Sequence, residues 1–148
     1  MQTILRSGVV AGVIVDAWLL LLEVVVFHAT TVGGFYQYVA SAVLGMAAFS
    51  EGLGTVILGI AMHFAISIVF AAVYVFLAER IVGLRRPVPG GIAIGILAWV
   101  VMSFIVVPLS QAPRMPITML GLVIGFVSHV VFFGLPLAFT AKGAAARI

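Results

Sequence analysis

The stretch Leu53-Gly-Thr-Val-Ile-Leu-Gly-Ile-Ala-Met-His-Phe-Ala-Ile-Ser-Ile-Val-Phe-Ala-Ala-Val-Tyr-Val-Phe-Leu-Ala78 runs for 26 residues with no Asp, Glu, Lys or Arg and one histidine, His63, and stops at Glu79-Arg80. As a helix it reaches ~39 Å at about 1.5 Å per residue, enough for a hydrocarbon core about 30 Å thick. Three further runs are of the same kind: Gly8 to Phe27, Gly90 to Leu109 and Ile117 to Phe139. The composition agrees with them. Of 148 residues, 65% are hydrophobic and 7% charged, whereas a soluble domain carries about 25% charged residues to cover its surface. The chain therefore reads as an all-α integral membrane protein, with lipid as its main solvent. Short connections make successive helices antiparallel neighbours, so the expected architecture is a four-helix up-down bundle with spans at about 8–27, 53–78, 90–109 and 117–139.

The bases sit at the ends of these runs. Arg6, Arg80, Arg85, Arg86, Lys142 and Arg147 fall on one side and only Arg114 on the other. By the excess of cytoplasmic Lys and Arg, both termini and the central loop face the cytoplasm of a bacterial inner membrane. The net charge of +3 thus reports orientation rather than nucleic acid binding. The opening run looks superficially like a signal peptide, but Asp16 and Glu23 interrupt it and no Ala-x-Ala-like site follows, so it is read as a retained span. In the first outward loop the cluster Phe35-Tyr-Gln-Tyr38 suits the headgroup level. A short interfacial helix is expected from Tyr36 to Phe49, because 14 residues rise only ~21 Å.

Two segments repeat a pattern, Gly59-x-x-x-His63 and Gly125-x-x-x-His129. Shifting by 66 positions superposes Gly59 on Gly125, His63 on His129 and Ala72 on Ala138, and a shift of 81 brings Ala17-Trp18 onto Ala98-Trp99. Two parallel two-helix repeats, related by an axis along the membrane normal, account for both. At about 1.5 Å per residue, Asp16 lies ~14 Å inside one edge and the two histidines ~15–18 Å inside the other. All three fall near the midplane, where an ionisable side chain needs a physical reason.

One reading of His63 and His129 is a pair of neutral imidazoles that hydrogen-bond neighbouring helices. Another is a bis-histidine haem b site, with Gly59 and Gly125, each one turn earlier, letting a macrocycle or another backbone approach closely. Asp16 is expected to point inward and to bond His63, His129 or Ser103. A second possibility is a proton path from Asp16 through Glu23 to His28. Trp18 and Trp99 are expected in the core and Tyr74 as an interface anchor near the cytoplasmic edge. There are no cysteines, hence no thiolate site or cysteine nucleophile. No phosphate loop, Gly-x-Ser-x-Gly or His-Glu-x-x-His pattern occurs, so acyl transfer and hydrolysis have no candidate residues.

The segments Met62-His-Phe-Ala-Ile-Ser67 and Val127-Ser-His-Val-Val-Phe-Phe-Gly134 resemble a broad group of small bacterial inner-membrane proteins with four spans and a histidine in the second and fourth. The resemblance implies the bundle and its location and no catalytic residue. The expected role is non-enzymatic: an accessory or structural subunit of a larger inner-membrane complex, of electron-transfer, photosynthetic or respiratory type. Its partners would be the lipid bilayer and other membrane subunits or further copies of itself, without nucleic acid. The alternatives are a haem b electron carrier and a proton-handling membrane protein.

Overall fold

The computed structural model describes residues 1–114 and 116–145, and among them there is no strand. Five helices are long and apolar enough to cross a membrane: α1 (Gln2–Val26), α2 (Val32–Phe49), α3 (Leu53–Arg80), α4 (Pro87–Leu109) and α5 (Met119–Lys142). Their ends follow local chemistry. Thr31 and Thr118 each accept a backbone N–H with the side-chain oxygen, from Gly34 and Gly121 at 3.0 Å, which satisfies one orphan donor at the start of α2 and of α5. Pro87 opens α4, where a missing N–H costs nothing. At the end of α3 the Arg80 guanidinium lies 3.5 Å over the Phe76 ring and bonds the Phe76 carbonyl.

Three stretches widen into π-helix: Leu21–Val26, Met102–Val106 and Ser128–Gly134. The last two have a visible cause. Pro108 and Pro136 follow each stretch by two residues, and a proline inside a helix removes one donor while its ring collides with the carbonyl four residues back. Those carbonyls belong to Phe104 and Phe132, both within the widened turns. Loosening the ladder there keeps α4 and α5 continuous.

In lipid the apolar effect does little to drive helices together, and close backbone packing has to hold them. Glycines provide it. A Cβ at Gly8 would stand 2.8 Å from Ile68 Cα, and one at Gly12 would stand 3.0 Å from the Phe64 ring, so α1 lies directly on α3. Likewise a Cβ at Gly91 would come 2.8 Å from Leu135 Cα, and one at Gly95 would come 2.6 Å from the His129 carbonyl and Val130 Cα, so α4 lies on α5. Helices α1 and α5 join the two pairs. The Trp18 ring stacks on Phe132 at 4.0 Å, its indole N–H donates to Ser128 Oγ at 3.0 Å, and Arg6 donates to the Thr140 carbonyl. Between the four helices sits a core that includes Ala11, Phe70, Tyr74, Ala98, Phe133 and Leu137.

Two features depart from the sequence expectation. Tyr74 is no interface anchor: it is 2% exposed, and its hydroxyl donates to the Leu84 carbonyl at 3.0 Å. It clamps the Val82–Arg85 turn, and α3 meets α4 there, with Gly90 against the Tyr74 ring. Further along, the two helices separate and leave a cavity. The second departure is α2. It begins at Val32 rather than Tyr36, and it packs on α3, burying Tyr36, Ala40 and Ser41. Its far end reaches the loop after α4, where Gln111 N–H donates to the Ala42 carbonyl.

Candidate functional site

Glycines again decide which side chains meet. Gly12 admits Phe64 to the face of α1, which brings the preceding residue, His63, alongside Asp16 one turn further on. Gly59, one turn before His63, has no room for a Cβ because the Tyr36 carbonyl of α2 occupies it. That approach delivers the Tyr36 hydroxyl to Asp16. The result is a cluster of one carboxyl, one imidazole and one phenol from three helices. Asp16, 5% exposed, accepts from Tyr36 Oη at Oδ2 over 2.9 Å, and its Oδ1 lies 3.0 Å from His63 Nε2. The latter two atoms are close but not aligned as a hydrogen bond. A carboxyl and an imidazole at this distance can share one proton, and the pair is neutral overall wherever that proton resides.

His129 is held differently. Its Nδ1 is 2.7 Å from the Gly125 carbonyl. A carbonyl only accepts, so Nδ1 carries the hydrogen, and in the neutral ring the lone pair is on Nε2. Beside it, the space at Gly125 is filled by the Trp99 indole, 3.2 Å from where a Cβ would be. The Trp99 N–H is buried without an acceptor among the described residues.

His63 and His129 border the same half-open cavity of about 540 Å³, between α3 and α4 and roofed by α2. Its walls are apolar, with Val15 and Leu19 from α1, Phe35 from α2, Phe70 from α3, Met102 from α4 and Phe133 from α5. The polar side chains on it are Tyr38, His63, Ser67, Ser103 and His129. Ser67 is occupied, donating to the His63 carbonyl at 2.9 Å.

The structure thus gathers His63, His129 and Ser103 on one cavity, with Asp16 lying 3.0 Å from His63. Glu23 and His28 lie apart from them. Glu23 sits half-buried in the widened end of α1, where its backbone carbonyl takes the N–H groups of Ala29 and Thr30. His28 is exposed at a left-handed turn with φ 50°. No side-chain hydrogen bond links Asp16 to Glu23 or Glu23 to His28 among the described residues. Of the two occupants expected beside Gly59, it is another backbone that stands there. Tyr36 is the member that sequence reasoning missed. Its signal was the aromatic cluster itself, since a buried carboxylate needs a donor and a tyrosine within reach provides one. Among the described residues no three of His, Cys, Asp or Glu gather as a metal site.

No family model, curated protein or solved structure matches the chain.

Proposed function

We propose that the chain is a small non-enzymatic protein of a bacterial inner membrane that crosses it four times and serves as an accessory or structural subunit of a larger membrane assembly, electron-transfer, photosynthetic or respiratory in kind. This reading also groups it with the small bacterial inner-membrane proteins that carry a histidine in their second and fourth spans.

Connectivity supports four crossings. Gly8 faces Ile68 and Gly12 faces Phe64, so α1 and α3 are antiparallel, and the end of α1 and the start of α3 share one side. Helix α2 is tied to those two ends by residues 27–31 and 50–52, links that reach no more than ~17 Å and ~10 Å when fully extended. Both ends of α2 are thus tied to one side, which supports reading it as a non-spanning helix laid across the bundle. The excess of bases at the opposite end supports cytoplasmic termini, with Arg147 lying outside the described residues. The glycine contacts support the two-helix repeat. Gly8 and Gly12 map onto Gly91 and Gly95 by a shift of 83, while their neighbours Phe64 and Ile68 map onto Val130 and Gly134 by 66.

The observation carrying the structural role is that Asp16, the ionisable group in the middle of α1, has both oxygens within bonding distance of other helices. The cluster acts as a three-helix tie. Extraction in mild detergent followed by native mass measurement tests the assembly: co-purification with other membrane subunits, or a defined oligomer, is expected, and monomer alone would overturn it. The 3.0 Å Asp16–His63 pair favours a second reading, a proton-handling protein. Its test is proton flux in liposomes for the wild type and Asp16→Asn, with equal flux rejecting it. The haem b alternative requires His63 Nε2 to leave Asp16, and a Soret band in haem-replete material would select it.

A further inference from the structure

The cavity between α3 and α4 carries chemistry that the tie at Asp16 does not use. Three of its polar groups make no hydrogen bond among the described residues: Tyr38 Oη, Ser103 Oγ and His129 Nε2. Their residues come from α2, α4 and α5 and line one cavity from three sides. None of the three residues is fully buried, but a polar group that faces hydrocarbon has no water to bond, and an acyl chain filling the cavity would bond none of them. Its volume of about 540 Å³ lies within the ~300–1,000 Å³ range of small-molecule sites, which join apolar walls to a few placed polar groups.

The donor pattern narrows the occupant. With Nδ1–H committed to the Gly125 carbonyl, His129 presents an acceptor and the ligand must bring a donor, which a ring hydroxyl supplies. Ser103 and Tyr38 can each donate or accept, and an oxygen on the ligand would satisfy them in either role. The rings of Phe35, Phe70 and Phe133 on the walls suit a planar aromatic head. A carboxylate head would also accept, but no Lys or Arg among the described residues lines the cavity, and an unpaired charge is costly to bury. The geometry points to a binding site for a lipid-soluble hydroquinone-type ring with an apolar tail, one ring hydroxyl donating to His129 Nε2. The mouth is set for such a molecule. Ala65 and Val69, on the outer side of α3 at mid-helix, are exposed and border the cavity.

The test is an equilibrium binding titration of the full chain in detergent micelles under anaerobic conditions. The probes are decyl-benzohydroquinone, its oxidised quinone and dodecanoic acid. Saturable 1:1 binding of the hydroquinone is expected, at least tenfold tighter than the quinone, which has no O–H to offer, and than the acid. His129→Leu should bring hydroquinone and quinone within threefold of each other. Ala65→Trp, placed at the exposed mouth and away from the core, should weaken the hydroquinone tenfold or more with helical content unchanged. Absence of saturable hydroquinone binding, a quinone bound equally well by the wild type, tighter binding of the acid, or wild-type affinity in Ala65→Trp would each overturn the assignment.

Discussion

Removing one oxygen atom from Tyr36 tests whether the Asp16 cluster ties α2 to the rest of the molecule. In Tyr36→Phe the ring keeps its packing, and Asp16 Oδ2 loses the donor it holds at 2.9 Å. Two magnitudes compete. Hydrogen bonds between membrane helices average about 0.6 kcal/mol, because the unfolded reference also finds partners in the membrane. A buried acceptor left without a donor costs about 1–3 kcal/mol. The second applies here, since Asp16 is 5% exposed and its other oxygen faces His63 without alignment. The expected loss is about 2 kcal/mol, or roughly thirtyfold in the folding equilibrium. A double-mutant cycle isolates it. Tyr36→Phe is measured again in an Asp16→Leu background, where any packing cost of the leucine is common to both corners and cancels. Unfolding followed by circular dichroism against the mole fraction of a denaturing detergent supplies the free energies. A coupling near 2 kcal/mol is expected. A coupling below about 0.5 kcal/mol would refute the tie and leave Tyr36 a packing residue.

The remaining predictions are readable in the same unfolding assay. Gly95→Val pushes a side chain into the His129 carbonyl and Val130 Cα, 2.6 Å from where its Cβ would be. Backbone on α5 cannot yield there, so the loss should reach about 3 kcal/mol. Gly54→Ala, by contrast, meets nothing within 4 Å and should gain up to about 1 kcal/mol from helix propensity. Similar losses for the two variants would refute the packing argument. Thr31→Ala removes the cap on Gly34 N–H and should cost about 1 kcal/mol, with early loss of protection in the amides of α2 during hydrogen exchange. Ser128→Ala deprives the Trp18 indole of its 3.0 Å acceptor. It should shift Trp18 emission in a Trp99→Phe background and leave Trp99 emission unchanged in a Trp18→Phe background.

The helices themselves were plain in the sequence, because hydropathy over twenty or so residues is a coarse signal that neighbours do not alter. Contacts between helices were harder, since they turn on which small residue faces which backbone. With 16 glycines in the chain, the pairing of Gly8 and Gly12 with Gly91 and Gly95 had nothing to single it out. The Ala-Trp pairs even suggest a different register, a shift of 81 against 83. Asp16, His63 and His129 stood out because an ionisable group in an apolar run is rare. Tyr36 did not, since its cluster satisfied an interfacial explanation equally well and only the approach at Gly59 draws it inward. The widened turns were half legible. Pro108 and Pro136 announce a disturbed ladder, but whether a helix kinks, ends or widens depends on what packs against it. The separation of α3 from α4 left no trace, because both helices are apolar all round and lipid or a neighbouring helix satisfies such a surface alike.

That separation has a consequence for how the molecule meets its surroundings. The mouth at Ala65 and Val69 lies midway along α3, a depth reached by lateral diffusion within the bilayer. An occupant of the cavity equilibrates with its mole fraction among the lipids, and its concentration in water enters only through partitioning. Diluting a membrane suspension with buffer would leave occupancy nearly unchanged, while adding empty lipid would lower it. The cavity is thus coupled to the chemical composition of the membrane rather than to that of the surrounding water.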